Sequence, residues 1–388
     1  MKKTFSILFF VLFFLYPGNI FAQQFVQVGA RAVGMGGAYV AVADEMTSAY
    51  WNPAAGALVQ RGQLGGYGGV HYADYGDLVD LVNEVSNFDP GDIENIDPED
   101  LEEVLDLLER LQKEGLRANG EGHYGFTMLG NGFGFSFMQL YYGTVYPVIV
   151  LPDFGDSTDW EDEINNNPSG LYFEGLRSRE FTLTAGRRLG KTLFVGTNMK
   201  YIQGRTYYLR QKILGTDWGD ISLRDLIDEA FKYNQKDSSA FTFDFGFLWI
   251  PNPSLRAGVV GKNITSPSFG LKDLDEKIEL GSQWRMGVAY YPVPSMTLAF
   301  DLDLTGNEFG LEDPVQNRQF AIGLEKRFFR NALAVRGGFN RNLGEGIKLN
   351  SWSAGLGGSL SSVSMEFAGT YASDARSLGL AGSLYFTF

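Results

Sequence analysis

A chain of 388 residues with 49 Gly, 31 Phe, 19 Tyr and no Cys is long enough for two soluble domains or one large barrel. Its net charge of -14 argues against a nucleic-acid partner, and the absence of Cys removes disulfides, thiolate metal sites and thiol nucleophiles. A hydrophobic share of 44% at a mean hydropathy of -0.11 excludes both disorder and a polytopic helical membrane protein.

Residues 1-22 read as a Sec-type signal peptide. Lys2 and Lys3 precede an apolar run from Phe5 to Tyr16, and Ala22 offers a small residue for cleavage. Export makes ATP- or NAD-dependent chemistry improbable, and no cofactor is expected. Residues 23-56 read as a compact plug, or hatch. Gly34, Gly36 and Gly37 permit close backbone approach, Ala38, Ala41, Val42 and Ala43 are small, and Asn52-Pro53 marks a turn. The Gly-rich stretch lacks the third Gly and the preceding strand of a dinucleotide fingerprint.

Between Asp74 and Glu114 stand fifteen acids and two bases, Arg110 and Lys113, so the negative charge is concentrated in one connection. Inside it, Asp97 as N-cap, Pro98 at the first position and Leu101, Val104, Leu105, Leu108 and Leu111 at helical spacing predict a helix that stops at Gly115. The acids Asp89, Asp92, Glu94 and Asp97 lack EF-hand spacing, so no metal site is expected. A second helix is predicted from an Ser222 N-cap through Leu223, Leu226, Ile227 and Phe231.

Everything else alternates. Phe241, Phe243, Phe245, Phe247 and Trp249 share one face, opposite Thr242, Asp244, Gly246 and Leu248. Similar patterns give about fourteen strands: 61-75, 121-130, 133-149, 171-188, 192-210, 239-250, 255-265, 278-291, 295-305, 317-328, 332-343, 348-360, 362-372 and 376-388. A soluble sandwich would bury the aromatic face; a transmembrane barrel turns it to lipid. Aromatics along whole strands favour the barrel, as do charges repeated on the other face (Lys200, Asp244, Arg256, Glu279, Arg285, Asp301, Glu325, Arg336 and Glu366). So does the alternation of tight turns, such as Asn131-Gly132, with long connections, such as 76-120. The expectation is an all-β transmembrane antiparallel barrel over 57-388, with the hatch in its lumen and short helices in extracellular loops. His71 and His123 are the only histidines and carry no triad motif, so no enzyme is expected. The last strand places Leu380, Leu384, Phe386 and the terminal Phe388 on one face. That ending resembles the signal read by the barrel assembly machinery of bacterial outer membranes.

The run GARAVGMGGAYVAVADEMTSAYWNPAAGA over 29-57, with Asp44 and the Asn52-Pro53-Ala54 element, resembles the N-terminal hatch of the FadL/TodX family of outer-membrane transport proteins. The resemblance implies a fourteen-stranded barrel in a Gram-negative-type outer membrane, among its lipids and lipopolysaccharide. It implies passive passage of hydrophobic compounds such as long-chain fatty acids. A lateral exit through a kinked third strand would fall near Gly143 and Pro147; the plain alternative is that Pro147 ends the strand. Among the inner polar residues, Asp244, Arg256, Arg285, Asp301, Arg336 and Glu366 either orient a carboxylate or pair to hold hatch to wall. The acidic helical loop is a departure, similar to the PorV-like and TraF-like branches. It opens a second reading, a PorV-like scaffold for protein secretion or surface attachment, with the Leu101, Val104 and Leu108 stripe either docking a protein or capping the barrel.

Overall fold

The computed structural model describes residues 25-87, 98-113, 115-152, 166-213, 222-309, 311-312, 314-345 and 349-388. The expected signal peptide and the acids Asp89, Asp92, Glu94 and Asp97 lie outside them. Fourteen strands close into one antiparallel barrel. Six come from the first two thirds of the chain: β1 (Gln63–Tyr75), β2 (Arg117–Gly130), β3 (Phe133–Val148), β4 (Gly170–Leu189), β5 (Leu193–Lys212) and β6 (Gln235–Asn252). After β7 (Leu255–Lys262), a short hairpin of β8 (Ser268–Gly270) and β9 (Lys277–Glu279) stands apart from the wall. The wall resumes with β10 (Gln283–Val293) and β11 (Met296–Asp303), and a second small hairpin follows, β12 (Asn307–Phe309) with β13 (Val315–Asn317). Then come β14 (Gln319–Phe328), β15 (Leu333–Asn342), β16 (Asn350–Leu360), β17 (Val363–Ala372) and β18 (Ser377–Thr387). The seam closes where β1 pairs with β18, from Gln63 opposite Thr387 to Tyr72 opposite Leu378.

Alternation decides which face is which. Phe241 is 65% exposed and Phe243 40%, whereas the intervening Thr242 is fully buried and Asp244 is 1% exposed. A wall with aromatics outside and polar groups inside is the lipid-facing arrangement. No helix among the described residues is long and apolar enough to cross a membrane; the strands are the elements that suit crossing. Turn chemistry follows the residues. Asn131 (φ 51°) and Gly132 (φ 81°) form the two-residue hairpin turn, and Pro251 and Pro292 sit at the register irregularities of β6 and β10, where no ladder donor is needed.

Three expectations are corrected. The strand read over 278-291 is divided, because Gly281-Ser282 interrupts it. Its first residues join the small hairpin, so Glu279 lies off the inner face of the wall. The strand read from 317 likewise starts at Gln319. The acidic connection holds two helices rather than one. To the expected α4 (Pro98–Leu111) it adds α3 (Leu78–Asn87), whose buried Leu78, Leu81, Val82 and Val85 follow helical spacing beneath the surface acids.

Three helical pieces complete the chain: α1 (Ala30–Gly34), α2 (Ser48–Trp51) and α5 (Leu223–Tyr233). Ser222 caps α5 as its pattern predicted, its Oγ accepting from the Asp225 amide at 3.3 Å. At the long-loop end Val104, Leu107, Leu108 and Leu111 of α4 pack with α3, with Leu226 and Ala230 of α5, and with Val145, Phe173 and Tyr207 of the wall. Val104 and Leu108 of the α4 stripe are therefore buried inside this cap, the capping alternative of the two read from the sequence. The side chain of Leu101 lies outside the described residues.

Candidate functional site

Residues 25-58 form a buried segment against the inner face of the wall. Phe25, Met35, Tyr39, Val40, Val42 and Trp51 make its core with Leu248, Val260 and Ala289 of the barrel. The segment ends in a 3-10 turn, Pro53–Leu58, so the expected boundary at 56 falls within that turn. Trp51 fixes the fold of the segment on itself, donating from Nε1 to the Val28 carbonyl at 2.8 Å.

Polar groups fasten this segment to the wall. Arg31 lies between Asp44 (2.7 Å) and Glu325 of β14 (2.8 Å). Glu325 also accepts from Arg336 (2.7 Å) and Arg327 (2.8 Å), and Arg336 reaches Glu366 (2.8 Å). Arg256 approaches Asp44 at 3.4 Å. Burial alone would raise the Asp44 carboxyl; the Arg31, Arg256 and Arg327 guanidiniums outweigh it and hold Asp44 below the usual carboxylate range. The Asp301 carboxylate accepts from the backbone amides of Tyr39 and Val40, both at 2.9 Å. Asn52 caps the 3-10 turn by accepting from the Ala54 amide (3.1 Å), and its Nδ2 donates to the carbonyls of Val40 (3.2 Å) and Phe247 (3.1 Å). Asn198 joins the Ala49 carbonyl (2.8 Å) to Asp244 (2.9 Å), which also pairs with Lys200 (2.8 Å). Arg285 pairs with Asp303 and lies 4.0 Å from the centroid of the Phe25 ring.

Six candidate wall residues named from the sequence thus face the candidate segment, and each has a partner there or within the wall. Glu325 was read from the sequence as an inner-face charge without a role, and Arg31 and Asp303 were not named as candidates. A wall acid opposite a lone buried Arg is the signal that pairs Glu325 with Arg31, but only topology brings residues 294 positions apart together. Sequence reasoning also missed the inward glycines. A Cβ on Gly338 would stand 2.2 Å from the Gly36 amide nitrogen, one on Gly196 2.3 Å from the Pro53 carbonyl carbon, and one on Gly323 2.7 Å from the Met35 carbonyl oxygen. Gly36 is needed twice: its φ is 66°, and a Cβ there would meet the Phe339 amide at 2.8 Å. Gly34 passes Gly355 closely, and the Gly37 φ is 84°.

Above the segment, His71, Glu121 and His123 line a small cavity of about 50 Å³ with Gln319, Asn340 and Thr370. His71 meets Ser377 at 2.8 Å. A larger, apolar pocket of about 360 Å³ lies on the outer side of the wall, under α5. Its floor is a row of glycines paired across three strands, Gly120 with Gly143 and Gly143 with Gly175. The Phe173 ring covers two of them, and Tyr207 and Phe231 close the side with ring centroids 4.3 Å apart. Pairing continues through Gly143 on both sides, while Pro147 lies beyond the last β2 partner and pairs only with Leu171 of β4.

The family model described as "F plasmid transfer operon, TraF, protein" matches residues 49-303, well over half of the chain. No curated protein matches the chain. Among solved structures, the fold is that of the FadL and TodX-type channels. The CymD monoaromatic hydrocarbon channel aligns at TM-score 0.56 and 14% identity, covering 94% of this chain and 98% of that one. A Pseudomonas aeruginosa FadL homologue aligns at 0.55 and 10%, covering 94% and 98%. The Ralstonia pickettii toluene transporter TbuX aligns at 0.53 and 13%, covering 95% and 99%.

Proposed function

The chain belongs to the family of the F plasmid transfer operon TraF protein, and from that premise we propose that it is an outer-membrane channel for diffusive uptake of hydrophobic small molecules. The observation that carries this reading is the apolar pocket over the glycine row. A site lined by Tyr141, Val145, Phe173, Tyr207, Ile227 and Phe231, set in the wall of a barrel, suits a solute that leaves water for lipid. Burying about 200 Å² of apolar surface there contributes about 5 kcal/mol. The segment 25-58 acts as the hatch, with Asp44, Asn52 and the Pro53-Ala54 turn fastening it. Both substrates named by the fold relatives and long-chain fatty acids fall in the class. Segment 1-22 directs export, and the Phe388 strand engages the assembly machinery.

The test is uptake of radiolabelled toluene and oleate into proteoliposomes. Uptake by the parent protein above empty vesicles, lost in Phe231→Asp and reduced in Gly143→Val, supports the channel. No uptake of either probe by a fully folded parent refutes it.

A further inference from the structure

Just toward the tight-turn end from the glycine pocket, the outer wall changes character within two residues. Phe126, Phe137, Phe181, Tyr201 and Phe241 pair in register across five strands. Their ring centroids follow one another at 5.9, 5.3, 6.5 and 4.9 Å. A continuous aromatic row of this kind marks the edge of the hydrocarbon layer. One step toward the long-loop end, the same register reads Gln139, Arg179, Gln203 and Ser239, and the next step reads Tyr141, Arg177, Arg205 and Asp237. Two successive polar rows therefore begin where the aromatics stop, at the depth of lipid headgroups.

The charges in these rows do not balance. Arg177 stands directly opposite Arg205, a like-charged cross-strand pair that is unfavourable by itself. Arg205 is held by a fork to Asp237 at 2.6 and 2.5 Å, and Arg179 donates to Gln139 at 2.9 Å. Arg177 has no bonded partner among the described residues. Three guanidiniums thus share one carboxylate around an open cavity of about 370 Å³. Arginine on a lipid-facing wall is costly at the bilayer midplane and nearly free at the interface, so the rows suit headgroup depth. Guanidiniums grip phosphate oxygens in a bidentate fork.

We propose that Arg177, Arg179 and Arg205 form a binding site for the phosphate of an acylated lipid in the outer leaflet, its chains lying down the aromatic row. The lipid class is a phosphorylated glycolipid such as the anchor of lipopolysaccharide. The inference rests on the outer-membrane reading above.

The experiment is native mass spectrometry of the full chain in a non-ionic detergent, with a diphosphorylated, multiply acylated glucosamine disaccharide as probe. The parent retains it; the dephosphorylated form and the R177Q/R179Q variant retain at least tenfold less. Millimolar inorganic phosphate leaves the complex intact. Equal retention by R177Q/R179Q, equal retention of the dephosphorylated lipid, or displacement by inorganic phosphate alone overturns the proposal. Folding of each variant is checked by its heat-dependent shift in electrophoretic mobility. Insertion of the parent into vesicles, read by protease protection, separates the two readings: a barrel that inserts but retains no lipid refutes this site alone, and one that does not insert refutes the membrane reading.

Discussion

Glu325 has a fully buried side chain that binds Arg31 of the inner segment and Arg336 and Arg327 of the wall, at 2.8, 2.7 and 2.8 Å. Replacing it with Gln keeps the shape and removes the charge. Losing one partner of a buried ion pair costs about 3-5 kcal/mol. Arg31 keeps Asp44 and Arg336 keeps Glu366, so the lower end applies, about 3 kcal/mol. The part of that cost relieved when the segment leaves the wall appears as easier opening, by up to about a hundredfold in population, since 1.4 kcal/mol is tenfold. The chain has no Cys, so a single Cys replacing the fully buried Ala43 reports opening without background. Thiol labelling of A43C/E325Q should run about 30- to 100-fold faster than that of A43C, the upper figure being the full conversion. A rate within threefold of the parent, in a variant with native mobility on gels, refutes the view that Glu325 ties the segment to the wall.

Other outcomes follow from the same geometry. Gly338→Ala drives a methyl group into the Gly36 backbone, which cannot yield as a side chain would, and should lower the unfolding temperature, whereas Gly358→Ala, with nothing within 4 Å, should leave it unchanged. Asp44 has its carboxyl held low in the folded state, so its contribution is complete above its unfolded value and disappears as pH falls through the lower folded one. The stability difference between the parent and Asp44→Asn should accordingly be flat from pH 8 to 5 and shrink below about pH 4, the ordinary carboxylate range; a difference that shrinks between pH 7 and 5 contradicts the assignment. Leu108→Ala, at a fully buried position in the loop cap, should cost about 2-5 kcal/mol locally. Limited proteolysis should then cut within α3 and α4 while the barrel keeps its heat-dependent mobility.

The wall was legible because a period of two is a local property. Thirteen of the fourteen strand readings coincide with wall strands to within a few residues, and the run from Phe241 to Trp249 alone fixes which face meets lipid. What stayed hidden was either masked or non-local. In α3 the helical spacing of Leu78, Leu81, Val82 and Val85 was obscured by the acids that made the connection look merely solvated. The small hairpins β8-β9 and β12-β13 are three residues per strand, too short for alternation to declare itself. In the candidate site, Asn52-Pro53, the glycines and the inward wall charges were visible in the sequence, but Arg31 was not, and which wall charge meets which segment residue is set by the stagger of the barrel. Inward glycines such as Gly196 and Gly338 look like weak strand positions in the sequence, and only the backbone passing 2.2-2.3 Å from their would-be Cβ atoms explains them.

The buried segment couples the two halves of the barrel across its seam. The 3-10 turn at Pro53–Leu58 touches the early strands β4, β5 and β6, whereas α1 touches β15 to β18, and the Ala30 amide donates to Ser383 on the last strand at 3.0 Å. Residues 25-58 thus bridge both halves of the cylinder, and wall glycines such as Gly196 and Gly338 leave little clearance around their backbone. Residues 25-58 therefore have their full set of contacts only when the β1-β18 edge is closed, because the 3-10 turn packs on strands from one half of the barrel and α1 on strands from the other. A segment that is seated wrongly would leave Ser383 without the Ala30 amide, so the hydrogen bonding of the last strand reports the placement of residues near the start of the fold.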